Sequence, residues 1–253
     1  LWVQPDANAG VRALGQVCDA PFTPRERFFL RSWLDKNDIQ LVVIGPEGPL
    51  AEGLADELAA PNRRVFGPVK EGARLEFDKA FAKQVMRQAS VPTADGRSFN
   101  NHEQARAYVM ARDVPLVVKA AGLCAGKGVV VCDDVTQALA ALDRIMLSKE
   151  FGAAGATVVV EERLVGQEMS VLALVDGRTI TVLDPCQDHK QVGEGDTGPN
   201  TGGMGAYCPT PLATDTLMAE ISREVLVPMV DAMRRNDVEF RGVLYAGMML
   251  TPG

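Results

Sequence analysis

Apolar and polar positions follow two different periods along the chain, which predicts a mixture of helices and strands. Near the start, Thr23–Glu26 has the pattern of a capping box with proline at the first helical position, so a helix is expected behind it. The apolar run Leu41–Ile44 then predicts a buried strand, and the Gly- and Pro-rich stretch Gly45–Pro49 predicts a loop at its carboxyl end. The sequence of helix, strand and loop predicts that residues 1–70 form an α/β domain. Open α/β sheets bind ligands at the carboxyl ends of their strands, so the loop at Gly45–Pro49 is a candidate ligand contact.

Helical spacing returns four times after residue 70. Apolar side chains four apart from Phe77 to Ala89 predict one helix, and Asn101 predicts the N-cap of a second. A third is predicted through residues 135–146. The fourth, from Thr214 to about 234, is expected to kink at Pro228, which cannot donate a helical hydrogen bond.

Short apolar runs between these helices predict strands. The runs are Leu116–Val118, Val129–Val131, Val158–Val160, and a hairpin of Ser170–Val175 and Thr179–Leu183 with Asp176-Gly177 as its two-residue turn. We assign residues 114–183 to a smaller α+β lobe, and residues 71–113 and 184–253 to a central domain. The predicted fold class is therefore α/β and α+β.

Composition is that of a globular protein and removes several function classes. The chain has 253 residues, 47% of them apolar, and a net charge of −7, which argues against nucleic acid as a partner. Its apolar runs are shorter than the roughly 20 residues of a membrane-spanning helix, so no membrane partner is expected. Five cysteines without a Cys-x-x-Cys pair argue against a disulfide framework or zinc site and fit a reducing cytoplasm.

Both ends suggest a longer protein. The chain does not begin with Met, and it stops at Thr251–Gly253, directly after an apolar run that predicts a strand. Since a strand that reaches a Pro-Gly turn usually has a partner strand to follow, we expect further segments on both sides.

The first candidate site is the Gly-rich stretch from Lys119 to Gly128. It departs from the Walker pattern, because Ala121 stands where that motif has Gly, and Gly128 stands where it has Ser or Thr. A Gly-rich loop between two strands can nevertheless fold its backbone N–H groups over phosphates, and Lys119 and Lys127 add positive charge. A plain flexible hairpin is the open alternative.

The second candidate is the strand end at Glu161 and Glu162. Two adjacent carboxylates there fit a solvated strand end, which is the commoner case. The functional alternative is that the backbone after Val160 contacts an adenine edge while Glu168 accepts hydrogen bonds from a ribose, as acidic residues do in dinucleotide-binding folds.

The third candidate is the most specific. Gln187–Lys190 leads into Thr197–Tyr207, eleven residues with four glycines and polar side chains between them. Glycine permits close approach of a ligand to the backbone, whereas a flexible linker would be simpler in sequence. A structural Ω-loop is the alternative. His189, beside Lys190, is a candidate phosphate contact, while His102 in a helical first turn is expected at the surface.

These stretches together resemble the phosphoribosylamine–glycine ligase (glycinamide ribonucleotide synthetase) family of ATP-grasp enzymes. The resemblance covers essentially the whole chain and lies in Gly45–Leu50, Asp78–Phe81, Lys119–Gly128, Glu161–Leu164, Gln187–Lys190 and Thr197–Tyr207. It implies an ATP-grasp fold with an N-terminal Rossmann-like (pre-ATP-grasp) domain, in which residues 114–183 form the lid lobe. It also implies an ATP-dependent ligase that joins glycine to 5-phosphoribosylamine through an acyl phosphate, as a monomer or weak dimer in the cytoplasm.

The resemblance also implies roles for individual residues. Lys119, His189 and Lys190 are the expected catalytic residues. ATP is expected to contact Lys79, Lys119, Gly126, Lys127, Gly128, Glu161, Glu162, Leu164 and Glu168. The amine and carboxylate substrates are expected to contact Glu47, Asp188, Asn200, Thr201, Gly202, Gly203, Met204 and Gly205.

The chain departs from the family in ways that leave alternatives open. Ala121 replaces an acidic residue and Cys124 a small one, which affects the details of the Gly-rich loop. The family's N-terminal phosphate loop and its Glu-x-Asn ligands for Mg²⁺ (or Mn²⁺) are expected outside the chain, so no metal ligand is assigned. Another ATP-grasp ligase with a different acid or amine, and a nucleotide-binding module without turnover, remain alternative functions.

Overall fold

The computed structural model describes residues 1–124, 127–195 and 197–252, without the side chains of Pro199 and Asn200. Its first unit is built on two pairs of parallel strands, β1 with β2 and β3 with β4, packed with short helices around buried leucines such as Leu30, Leu34 and Leu58. In chain order the elements are β1 (Trp2–Val3), α1 (Ala9–Arg12), β2 (Gln16–Val17), α2 (Arg27–Lys36), β3 (Leu41–Val43), α3 (Glu47–Ala51), α4 (Leu54–Leu58), β4 (Arg64–Phe66) and α5 (Lys70–Phe77).

Two local predictions in this unit are wrong in detail. The stretch Gly45–Pro49 is not wholly a loop, because α3 begins at Glu47. Pro49 is compatible with this, since the first turn of a helix leaves its N–H groups without intrahelical partners. At Thr23 the hydroxyl donates to the Glu26 carboxylate (2.5 Å) rather than capping the backbone, so a 3₁₀ turn forms first and α2 starts at Arg27.

The helix predicted from Phe77 to Ala89 is divided at Asp78. Helix α5 ends at Phe77, and α6 (Lys79–Gln88) begins one residue later. Asp78 has extended backbone, and its carboxylate accepts a hydrogen bond from the Phe81 N–H (3.0 Å), so it is the N-cap of α6. The break places Lys79 in the first turn of α6.

A second unit, here called the four-stranded layer, carries two helices on one face of an antiparallel sheet. Its elements are β5 (Gly96–Phe99), α7 (His102–Met110), β6 (Leu116–Ala120), β7 (Val129–Cys132), α8 (Val135–Leu142) and β8 (Val158–Glu162), with strand order β5-β8-β6-β7. The predicted strands in this layer are confirmed, as is the N-cap, since the Asn101 side chain accepts from the Gln104 N–H (3.0 Å). A π-helical turn, Asp143–Leu147, extends α8. The core between helices and sheet includes Val109, Val118, Leu142 and Val160.

The third unit combines a three-stranded antiparallel sheet of order β10-β9-β13 with the helices that follow the ribbon described below. Its elements are β9 (Gln167–Asp176), β10 (Thr179–Val182), α9 (Asp215–Ile221), α10 (Val227–Arg235) and β13 (Arg241–Leu250). The predicted long helix is interrupted by a π-helical turn at Ser222–Leu226, just before Pro228. A proline without an N–H group favours such an interruption of the regular ladder.

The hairpin of β9 and β10 exists as predicted but pairs differently from expectation. Asp176 faces Thr179, so Gly177 and Arg178 form the turn rather than Asp176 and Gly177. Gly177 has φ +66°, a conformation that glycine adopts without strain. The hairpin pairs with β13 rather than with the lobe that contains β6, while β5, assigned to the central domain, pairs with β8. Strand partners are chosen over long sequence distances, which local periodicity does not report.

A two-stranded antiparallel ribbon, β11 (Gln187–Gly193) and β12 (Thr197–Tyr207), completes the fold. The stretch Thr197–Tyr207 forms strand β12 rather than the alternative Ω-loop, and of its glycines Gly205 pairs in register, with His189. Two register shifts interrupt the pairing between His189 and Gly193. Among the described helices, none is long and apolar enough to cross a membrane.

Candidate active site

The face of the four-stranded layer opposite α7 and α8 carries a group of charged side chains. Val118 and Val160 point into the core with the helices, so Lys119 and Glu161, their neighbours in sequence, point to the other face. The ammonium of Lys119 lies 2.5 Å from Oε2 of Glu161. Helix α6 crosses this face and brings Lys83 to Oε1 of the same carboxylate, at 2.8 Å.

Burial makes this group unusual. The Lys83 side chain is 2% exposed and that of Glu161 9%, whereas Lys119 is 29% exposed. Burial works to raise the pKa of Glu161, but the charges of Lys119 and Lys83 outweigh it and hold the pKa below its ordinary value. The carboxylate is therefore ionised at neutral pH, and Lys119 is the solvent-accessible member of the group.

Lys79 lies beneath the Gly-rich loop that joins β6 to β7. Its backbone N–H donates to the Ala121 carbonyl (2.9 Å), and its ammonium donates to the Gly122 carbonyl (3.1 Å). Partial burial lowers the pKa of Lys79, Cys124 and Glu76 act to raise it, and the charge of Lys119 acts to lower it. A Gly-rich loop with lysine ammonium groups beside it is an arrangement that can bind phosphate.

The loop itself is described in part. Lys127 is exposed and its N–H donates to the Cys124 carbonyl (2.9 Å), while Gly126 lies outside the described residues. A Cβ at Gly128 would approach the Cys124 side chain to 2.7 Å, so the close packing here requires glycine. The prediction of a Gly-rich loop between two strands is confirmed.

The predicted adenine segment follows β8. Glu162 is engaged on both sides: its N–H donates to the Asp95 carbonyl (2.8 Å), and its carboxylate accepts from the Asp95 N–H (2.7 Å). This pairing ties the end of β8 to the loop before β5. Leu164 is half-buried, and Glu168 lies further on, at the start of β9.

A second charged group connects β9 to the ribbon. The Lys190 ammonium lies 2.9 Å from the Asp188 carboxylate and 3.0 Å from that of Glu168, which unites two predicted substrate-site residues with the predicted ribose contact. Partial burial works to lower the pKa of Lys190, but the two carboxylates outweigh it and raise the pKa. Ser170 donates to Asp188 (3.1 Å) and lies 3.3 Å from the Tyr245 hydroxyl on β13.

The polar residues of β12 order the backbone of the ribbon. The Thr201 hydroxyl donates to the Lys190 carbonyl (2.8 Å) and accepts from the Gly203 N–H (3.0 Å). Gly202, Gly203 and Gly205 have open space where a Cβ would stand, so ligand atoms can approach their backbone. The backbone of Asn200 pairs with Gln191, and its side chain lies outside the description.

The ribbon also encloses a small open cavity. His189 packs its ring against Tyr207 at a centroid distance of 5.9 Å and lies at the edge of this cavity with Met204. The cavity has a volume of about 320 Å³ and is lined by His189, Gln191, Val192, Gly193, Glu194, Gly195 and Met204.

Sequence reasoning missed two charged residues close to those it identified. Lys83 lies one helical turn after Lys79, and this i, i+4 spacing is the signal that points both side chains to the same face. Glu76 precedes the break at Asp78; loss of solvent contact and the charge of Glu47 raise its pKa, while Lys79 lowers it. Glu47 is exposed at the first position of α3, and its electrostatic effect on Glu76 relates the first unit to the Lys79 region.

No metal ligand is assigned among the side chains described. In residues 1–124, 127–195 and 197–252, no three His, Cys, Asp or Glu side chains converge into a group that could hold one. We therefore derive no chemical step through Mg²⁺ from this chain.

A helix-covered antiparallel layer, a Gly-rich loop over two lysines and a second sheet facing a charged ribbon define an ATP-grasp protein, and the family comparisons agree. Residues 77–253 match the ATP-grasp (A) domain of phosphoribosylglycinamide synthetase, and residues 1–76 match its N domain. The chain belongs to the phosphoribosylglycinamide synthetase family.

Individual relatives are similar over nearly the whole chain. A phosphoribosylamine–glycine ligase of Rhodopirellula baltica is 52% identical over 259 residues, covering 100% of this chain and 58% of the relative. One from Nostoc sp. is 52% identical over 212 residues, covering 84% of this chain and 50% of the relative. The crystal structure of phosphoribosylamine–glycine ligase from Thermotoga maritima superposes with a TM-score of 0.80 at 30% identity, covering 97% of this chain and 58% of that one. The chain thus spans about half the length of the relatives it matches.

Proposed function

We propose that the protein ligates glycine to 5-phosphoribosylamine at the expense of ATP. A glycine carboxylate oxygen attacks the γ-phosphorus of ATP, which gives glycyl phosphate and releases ADP. The amine of phosphoribosylamine then attacks the glycyl carbonyl carbon, loses a proton and expels phosphate, which gives glycinamide ribonucleotide. No covalent bond to the protein forms, so the side chains act by binding, orientation and neutralisation of charge.

The observation that carries this proposal is the convergence of Lys79 and Lys119 under the Gly-rich loop. The Lys79 ammonium donates to the Gly122 carbonyl of this loop, and the Lys119 ammonium, 29% exposed, belongs to the strand that leads into it, so both positive charges are placed to meet the phosphates of ATP. We assign Lys79, Lys119, Lys127 and the Gly126–Gly128 backbone to these phosphates. When Mg²⁺ is bound together with ATP, it would supply positive charge beside the phosphates, and none of the residues described is assigned to hold it.

The remaining nucleotide contacts are proposed along β8 and β9. The backbone of Glu161 and Leu164 is assigned to adenine and Glu168 to the ribose. Since both sides of Glu162 are engaged with Asp95, its contribution is to hold this segment in place. Glu168 also pairs with Lys190, so the ribose contact and the substrate group share a residue.

Glycine and the acyl phosphate are assigned to the ribbon. Lys190 is kept protonated by Asp188 and Glu168 and is placed to neutralise charge on the acyl phosphate, with His189 beside it. The substrate carboxylate and phosphate are assigned to Asn200, Thr201, Gly202, Gly203, Met204 and Gly205 of β12, where the three glycines leave their backbone open to ligand atoms. Glu47, on the first unit, is assigned to phosphoribosylamine.

We also propose that the four-stranded layer is the lid of the nucleotide site, with residues 1–70 as the substrate domain and the other sheets as the central domain. The sheet pairing supports a lid that begins near β5 and ends with β8, which is an earlier span than 114–183. Lobe angles measured with and without ATP test this proposal, and identical angles would remove it.

A drop-out series tests the activity. ADP release by the full gene product is measured with Mg-ATP, glycine and phosphoribosylamine, leaving out one at a time. Release that requires both glycine and phosphoribosylamine supports the ligase. Release that needs another acid or amine keeps the fold and discards these substrates, and ATP binding without release favours a module without turnover.

Isotope transfer tests the intermediate. With ¹⁸O in the glycine carboxylate, attack on ATP and expulsion of phosphate carry one ¹⁸O atom into the released phosphate. Mass spectrometry of that phosphate checks the prediction, and unlabelled phosphate would contradict the acyl-phosphate route.

A further inference from the structure

We propose that Lys83 is a positioning residue of the nucleotide site: acting through Glu161, it holds the Lys119 ammonium on the open face of the four-stranded layer and leaves its charge available to phosphate. The proposal rests on the ATP site proposed above. Lys83 itself touches no proposed ligand, because it lies behind Glu161 with a side chain that is 2% exposed.

The first step is that Lys83 is fixed. A lysine ammonium has three N–H donors, and here each has an acceptor: the Thr93 hydroxyl (2.9 Å), the Ala94 carbonyl (2.7 Å) and Oε1 of Glu161 (2.8 Å). Thr93 and Ala94 lie in the loop before β5. The ammonium therefore joins helix α6, this loop and strand β8 at one point.

The second step is that Lys83 fixes Glu161. Both carboxylate oxygens are occupied, Oε1 by Lys83 and Oε2 by Lys119 at 2.5 Å. With one oxygen held by an immobile ammonium, rotation of the carboxylate would break that contact in a buried site, where an unpaired charge is costly. The position of Oε2, and with it that of Lys119, is set by Lys83.

The third step concerns charge. A pair of Glu161 and Lys119 alone would be neutral, and its attraction for phosphate would be weak. Two lysines around one carboxylate leave a net charge of about +1. This charge is accessible to ligands at Lys119, which is 29% exposed. Lys83 thereby offsets the negative charge of the carboxylate that orients Lys119.

Comparison of ATP with adenosine tests the proposal without turnover. Lys83→Met should lower ATP affinity about tenfold, the size of one charge-assisted contact, while adenosine affinity changes less than about twofold. Calorimetry on the full gene product gives both values. If the variant loses affinity for ATP and for adenosine equally, the structure of the binding cleft has changed as a whole, and this result would overturn a positioning role.

A second variant decides the matter if Lys83→Met does not fold. Lys83→Gln keeps an N–H donor for Oε1 of Glu161 but carries no positive charge to offset the carboxylate. It should show the same selective loss of ATP affinity, with thermal unfolding confirming a folded protein. An unchanged ATP affinity in folded Lys83→Gln would overturn the proposal.

A variant background tests whether the effect passes through Glu161 and Lys119. In a background with both Lys119→Met and Glu161→Gln, Lys83→Met should change ATP affinity by less than about twofold, because neither a carboxylate to be offset nor the Lys119 ammonium to be positioned remains. A full tenfold loss in that background would show independent action and overturn the proposal.

The matched control is Arg63→Met. Arg63 is also a 2% exposed cation with a carboxylate partner, Asp35 at 2.8 Å, and a carbonyl partner, Leu58 at 2.7 Å, but it lies in the first unit. It should leave the ATP-to-adenosine ratio unchanged even if stability falls; a shift like that of Lys83→Met would remove the specificity of the effect. If the wild-type protein binds no ATP, the proposed nucleotide site itself fails, and this outcome is distinct from all those above.

Discussion

The four-stranded layer holds one carboxylate, Glu161, between two lysines, whereas the β11–β12 ribbon holds Lys190 between two carboxylates, and the two groups are supported differently. In the layer, Glu161 and Lys83 are nearly solvent-free, and a core of α7, α8 and sheet lies behind them. Of the ribbon side chains that the structure describes, that of Gln187 alone is buried, and that of Lys190 is about one third exposed. The layer fixes its lysine by packing, whereas the ribbon fixes Lys190 by local hydrogen bonds and by contacts with β9.

This difference suits the two proposed tasks. Nucleotide phosphates need a fixed positive charge, and a buried ion group provides it before ATP arrives. In the proposed reaction the ribbon would accept the substrate glycine and then its acyl phosphate, and the open backbone at Gly202, Gly203 and Gly205 permits both. Four predictions test the comparison, from the largest expected effect to the smallest.

The core behind the layer should be far more sensitive to truncation than the ribbon. Leu142 on α8 is fully buried, so Leu142→Ala should lower the free energy of unfolding by about 2–5 kcal/mol through lost burial and the cavity left behind. Val192 lies on the ribbon and is 52% exposed, so Val192→Ala should change the free energy of unfolding by less than about 0.5 kcal/mol. Urea unfolding measures both, and similar values would break the comparison.

Removal of the layer's exposed lysine should act on the nucleotide. Lys119→Ala is expected to weaken ATP binding roughly 10- to 100-fold, because a charged contact to phosphate is lost and Glu161 keeps only Lys83. Calorimetric titration with ATP checks this. Lys36→Ala, at an exposed position of α2, serves as the control, and unchanged nucleotide affinity in Lys119→Ala would count against the assigned role.

Removal of the ribbon's lysine should act on turnover instead. Lys190→Met is expected to lower kcat about tenfold by loss of charge neutralisation at the acyl phosphate, with ATP affinity within about twofold of wild type. Steady-state kinetics and ATP titration separate the two effects. A Lys190→Met protein that loses ATP affinity as severely as Lys119→Ala would show that the two groups do not divide the work.

Acid should weaken both groups, and the layer more. The pKa values of Glu161 and Asp188 lie below their ordinary values of 4.5 and 3.8, so each group adds stability above that ordinary value. This stability is lost as pH falls through the lowered pKa in the folded protein, because the unfolded chain binds the proton more readily. Between pH 7 and about pH 3, the free energy of unfolding should fall less steeply in Glu161→Gln than in wild type. The pH dependence of Asp188→Asn should differ less from that of wild type.

Asp188→Asn is expected to be the weaker case because its side chain is 31% exposed and solvent screens its pairing with Lys190. Equal pH dependence in the two variants would indicate that burial does not distinguish the layer from the ribbon.

Local features of the fold were predictable from the sequence because their causes are local. Asn101 and Thr214 cap helices through the backbone N–H three residues later, and the strands from Leu116 to Glu162 follow apolar runs bounded by turns. The candidate site followed from motifs, since Lys119, Glu161 and Lys190 stand in recognisable surroundings in the chain. Short-range signals left an Ω-loop open for Thr197–Tyr207, which is strand β12, because four glycines in eleven residues obscure the alternation typical of a strand.

Only the tertiary structure decided which of these pieces meet. The sequence alone determined several helix starts, the strands with clear apolar runs and the family of the chain. Long-range packing decided that the β9–β10 hairpin joins β13 and that Lys83 reaches Glu161 from a different element. The physical reason is that capping and periodicity act over a few residues, whereas the pairing of charges and strand edges depends on which surfaces are brought together when apolar faces are buried.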